Sequence, residues 1–173
     1  MPGPAQRDPM KPSLFATAAA TLLIALTVPA HANDPKVAIA ALDARLAKIG
    51  APKLEGTDKA GEKRVSGLLF GARKINNNYD VVDEIKKSTG AAATVFVKEG
   101  DEFVRVSTNV LTPEGKRGVG TTLARAKAYE ALSKGDSFCG VVDVLGIALD
   151  SCYNPVKDGG GKVIGVTYVG YKK

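Results

Sequence analysis

Arg105 is the residue best suited to holding a small ligand, because it is the only charged residue in the run 103–109 and stands between Val104 and Val106. A guanidinium in an apolar strand points to water, pairs within its own chain, or meets an anion. Ser107 and Thr108 follow with Asn109 as short hydrogen-bonding groups at the strand end, where capping the turn is their commoner use. Lys116 and Arg117 lie in the next loop beside Gly118 and Gly120, whose freedom lets backbone amides approach a ligand. Farther along, period-2 alternation puts Phe138, Ser151 and Tyr153 on one face. They read either as core packing or as a pocket wall with the Tyr153 hydroxyl as donor. The chemistry on offer is recognition of a small anion, with a carboxylate as the first candidate.

No catalytic set accompanies these residues. His31 is the single histidine and Met1 and Met10 are the two methionines; all three fall in a segment expected to be removed, and the chain has no Trp. Histidine-dependent hydrolysis, zinc sites and haem ligation are therefore not expected. There is no P-loop and no Cys-x-x-Cys pair. An enzyme would need carboxylates converging in a cleft, such as Asp83, Asp143 and Asp150. No cofactor or metal is expected. The net charge of +6 comes from 24 Lys and Arg interspersed with 18 Asp and Glu, which reads as a solvated surface or an anion site rather than a nucleic-acid face.

The N-terminus reads as a targeting segment. Lys11 supplies the positive region, Leu14 to Val28 the apolar core and Ala30-His31-Ala32 the small-x-small cleavage site, with Met10 as an alternative start. A membrane anchor needs about 20 apolar residues, and this run is nearer to about 15 before Pro29. The expected organisation is a signal peptide over 1–32, an N-terminal helix and irregular arm over 33–60, and one domain over 61–173. The product should be periplasmic or secreted, with no membrane span after cleavage near Ala32-Asn33.

The elements that must position the site follow from periodicity. Pro35 to Ile49 predicts a helix, with Asp34 as N-cap, Pro35 in the first turn and Gly50 as stop. The stretch 51–61 reads as loop, Lys63 to Ile75 is ambiguous with a short strand fitting 64–70, and Val81 to Lys87 reads as a helical turn. Strands are expected at 92–98 and 102–109, a helix at 122–133, hairpin strands at 137–144 and 147–156, and a last strand at 162–171. If the hairpin turns at Leu145-Gly146, Cys139 faces Cys152 in a non-hydrogen-bonded pair and Phe138 faces Tyr153 on the other side. Opposing Cα atoms there approach to about 4.5–5.5 Å, which suits a disulfide, the expected state of two cysteines in an exported protein. Two free buried thiols are the alternative.

Several strings in this order resemble one family. They are Gly67-Leu68-Leu69-Phe70-Gly71, Asn76-Asn77-Asn78, Val82-Asp83-Glu84, Thr89-Gly90, Thr94-Val95-Phe96-Val97, 101–110, Arg117-Gly118-Val119-Gly120-Thr121, 142–146 and 153–158 with the closing strand. Together they are similar to the Cache superfamily of extracytoplasmic sensor domains, most closely the Cache 3/Cache 2 fusion family of chemotaxis receptors and sensor kinases. The resemblance implies an α+β, PAS-like five-stranded antiparallel sheet with a long N-terminal helix and a loop-helix segment over one face. It also implies a small-molecule ligand between that face and the segment, and an Arg on the strand of Arg105 as its partner for organic acids. The sequence ends two residues after Tyr171, so the expected role is binding or sensing without a membrane crossing, alongside a membrane-bound sensor or transporter as partner. The rival reading is a structural domain docking on such a partner without a ligand, which a space filled by side chains would favour.

Overall fold

The computed structural model describes residues 33–173, together with Met1 and Gly3. The signal-peptide reading of 1–32 otherwise lies outside the described residues, among which no helix is long and apolar enough to cross a membrane.

Helix α1 (Pro35–Ile49) starts as expected: the Asp34 carboxylate accepts the Lys36 N–H at 2.8 Å and Pro35 occupies the first turn. Its face of Ala38, Ile39, Leu42 and Leu46 is buried. Strands β1 (Pro52–Ala60), β2 (Lys63–Phe70) and β3 (Arg73–Lys74) form a small antiparallel sheet in that order. The stretch expected to be an irregular arm is therefore a strand. Most of its residues are exposed, so no alternation betrays it; pairing with β2, with a register shift between Leu54 and Thr57, imposes the extended form.

Helix α2 (Asp80–Thr89) is longer than the single turn expected, ending at Gly90 with φ 78°. The main sheet contains β4 (Ala92–Glu99), β5 (Glu102–Thr108), β6 (Phe138–Val144), β7 (Ile147–Lys157) and β8 (Val163–Lys172). Their spatial order is β5-β4-β8-β7-β6 and every neighbour is antiparallel. The α+β, five-stranded architecture expected is thus present, with the three-stranded sheet added.

Each face of the main sheet carries its own core. On the back, Ala93, Val95, Val97, Val104, Val106, Cys152 and Val169 pack with α1, α2 and β2. On the front, Phe96, Phe103, Tyr153, Val166 and Tyr168 pack with Leu123, Ala128 and Leu132 of the loop-helix segment. The helix in that segment, α3 (Lys127–Ser133), is shorter than the expected 122–133. Residues 120–123 bond instead to the edge of β5: Arg105 N–H donates to Thr121 O, Gly120 N–H to Arg105 O and Leu123 N–H to Phe103 O, each at 2.9 Å. Strand pairing outcompetes the helical spacing of Leu123 and Ala126, a tertiary override of a local pattern.

The hairpin turns at Leu145-Gly146, pairing Cys139 with Cys152 and Phe138 with Tyr153. The two cysteines are disulfide-bonded with Cα atoms 4.1 Å apart, while the aromatic rings lie 6.3 Å apart on the opposite face.

Candidate functional site

A single irregularity in β5 aims the site. Thr94 faces Thr108 and Val95 faces Ser107, but the register shifts and Phe96 faces Arg105. The extra residue is a β-bulge that sends Val106 and Ser107 to the back and leaves Arg105 on the front. Ser107 Oγ accordingly donates to the Asn78 carbonyl at 2.6 Å. Simple alternation would have kept Ser107 on the face of Arg105.

Arg105 is 4% exposed. Its Nη1 donates to Thr121 Oγ1 at 2.7 Å and reaches Thr122 O at 3.5 Å, and its guanidinium carbon lies 4.9 Å from the Phe96 ring centre. Among the described residues no carboxylate pairs with it, and its Nε is buried without a partner. Burial draws its pKa below the ordinary value, yet an arginine remains charged at neutral pH. A buried charge lacking a counter-ion is costly unless a ligand supplies one.

That ligand has a space. A cavity of about 600 Å³ is lined by Arg105, Thr122, Leu123 and Ala128 from β5 and the segment above it, and by Phe138, Val142, Val144, Leu145 and Tyr153 from the hairpin. Lys127 and Asp143 also line it, and both are exposed. Asp143 alternates with the inward residues of the edge strand β6, so the cavity opens past that edge. Tyr153 is buried against Tyr168 with ring centres 4.7 Å apart. Burial pushes the Tyr153 hydroxyl upward and that of Tyr168 up to about 12, so both stay protonated donors at neutral pH.

The roof is tied down at both ends. Gly120, at φ 86°, passes so close to Ala60 that a Cβ would collide with its carbonyl. At the other end the Leu145 side chain packs on Gly118, where an added Cβ would meet it at 3.0 Å.

Of the residues singled out from the sequence, the cavity brings together Arg105, Phe138 and Tyr153. The others do not join them. Thr108 Oγ1 is taken by Thr94 Oγ1 at 2.7 Å and by the Val110 N–H, and Ser151 Oγ bonds Leu149 O and the Tyr168 hydroxyl. Lys116 is exposed in its loop. Arg117 lies over the Tyr79 ring at 4.4 Å and holds Asp83 through two 2.8 Å bonds, with a third to Thr108 O; the Asp83 bonds raise its pKa. Thr121, Thr122, Lys127 and Leu145 were not foreseen. Their only sequence signal was their place after the Gly118-Gly120 loop and in the hairpin turn.

A second cavity of about 480 Å³ near the start of β4 includes Asn109, Tyr171 and Lys86. Its buried amide is satisfied, Asn109 accepting from Ala93 N and donating to Val82 O. Among the described residues no cluster of His, Cys, Asp and Glu is placed to hold a metal.

The family described as the Cache 3/Cache 2 fusion domain matches residues 38–173. No curated protein matches the chain. Among solved structures, the chain is similar to the sensor domain of DcuS from E. coli at 14% identity and a TM-score of 0.38, over 53% of this chain and 63% of that one. The chain thus spans less than two thirds of that structure. With most of its length matched, the chain belongs to the Cache 3/Cache 2 fusion family of extracytoplasmic sensor domains.

Proposed function

We propose that the protein is an exported, non-catalytic binding module that senses a small carboxylate in the cavity between the main sheet and the loop-helix segment. The observation that carries this reading is Arg105, a buried guanidinium that lines the cavity and has no carboxylate partner among the described residues. A carboxylate placed there restores the missing charge and accepts charge-assisted hydrogen bonds, with the Tyr153 hydroxyl as a further donor. Periplasmic or secreted location is supported by the pattern ending at Ala30-His31-Ala32 and by the disulfide, which belongs to an oxidising compartment. A membrane-bound sensor or transporter is the recipient of the signal in this reading. An open cavity favours ligand binding over a domain that only docks.

Thermal-shift and calorimetric screening of organic acids against the purified protein tests this. A bound acid at a hundred times its Kd should stabilise the fold by about 2.7 kcal/mol, and Arg105→Ala or the shape-conserving Arg105→Met should abolish the shift. If no acid binds, or the folded Arg105 variants bind as the wild type does, the proposal fails.

A further inference from the structure

We infer that the acid is a monocarboxylate with an apolar body, bound with its carboxylate at Arg105 and its body along the hairpin; this rests on the carboxylate site proposed above. The first observation is a charge count. Among the described residues Arg105 is the one buried cation lining the cavity, and the other two charges there, Lys127 and Asp143, are exposed and of opposite sign. A second carboxylate on the ligand would find no buried counter-charge. It would lie instead against Leu123, Ala128, Val142, Val144 and Leu145, where desolvation without compensation is unfavourable.

The second observation is independent and lies in the turn. Leu145 has φ 53° and Gly146 φ 86°, the left-handed pair of a type I′ hairpin, whose first position strongly favours Asn, Asp or Gly. A leucine is an unfavourable choice for the backbone there. Its side chain is half-buried, packs on Gly118 and lines the cavity. Local rules broken without local gain mark functional positions, and what this leucine adds is apolar wall at the hairpin end.

Calorimetric Kd values for acetate, butyrate, hexanoate and succinate against the purified protein decide the matter. Affinity should rise two- to fourfold per added methylene from acetate to hexanoate, as apolar burial implies, and succinate should bind at least about tenfold more weakly than butyrate. Leu145→Asn, which suits the turn, should flatten the chain-length series. Succinate binding as tightly as butyrate, or a flat wild-type series, overturns the inference while leaving the carboxylate site intact so long as Arg105→Ala removes binding. Absence of binding by all four acids overturns the inference and the site together. Should the Leu145 variant not fold, the wild-type series decides alone.

Discussion

Arg105 and the two tyrosines near it form a polar group that folding buries at a cost. Tyr153 and Tyr168 are buried, and burial holds both phenols neutral well above the ordinary tyrosine pKa, that of Tyr168 at about 12. In the unfolded chain both ionise near pH 10. The folded pKa is the higher, so the contribution of Tyr168 is fully present below pH 10 and is lost as pH rises through about 12, and that of Tyr153 is lost in the same direction. An absorbance titration of the folded protein should show late-ionising tyrosines, and Tyr168→Phe should remove one of them. A titration complete by pH 10.5 in protein still folded by circular dichroism would contradict this. The sequence made Arg105 conspicuous by setting one charge among valines. It could not show which face the side chain takes, because the bulge at Val106 that separates Arg105 from Ser107 arises from pairing with β4.

At the scale of elements, the hairpin of β6 and β7 is both edge and pocket wall. β6 ends the sheet, and its Cys139 is exposed while Cys152 is buried in the back core. The disulfide therefore fastens an edge strand to the core through the face opposite Phe138 and Tyr153. Constraining a loop of this size is worth about 3 kcal/mol in the chain-entropy model. Reduction, or the paired change Cys139→Ser with Cys152→Ser, should lower the melting temperature by about 10 °C. A melting temperature unchanged by reductant, with thiol labelling confirming two free thiols, would refute the role. This register was legible beforehand, since a two-residue turn leaves one way to oppose the cysteines and the aromatics together. The short α3 and the strand β1 were not, for both depend on a partner strand far along the chain.

Across the whole molecule, the cavity roof is clamped to the layer behind the sheet. Arg117, on the loop over the front face, reaches Asp83 of α2 through paired 2.8 Å bonds and stacks on Tyr79. The pair is partly open to solvent, 33% and 46% exposed, so screening holds its worth to about 1 kcal/mol. Arg117→Ala should lower stability by about that much in denaturant unfolding while the acid-induced thermal shift survives. Loss of the shift in a folded Arg117 variant would move this residue into the site. The sequence by itself determined the α+β class, the hairpin register and disulfide, the first helix with its caps, and the family likeness, because these rest on local periodicity, turn chemistry and short-range counting. Tertiary structure alone decided which groups meet. Arg105, Tyr153, Thr122 and Leu145 line one cavity while Ser107, Thr108, Lys116, Arg117 and Ser151 do not, because a bulge and the pairing of 120–123 along β5 set which side chains share a face. Those contacts form between segments distant in sequence, where no local pattern records them.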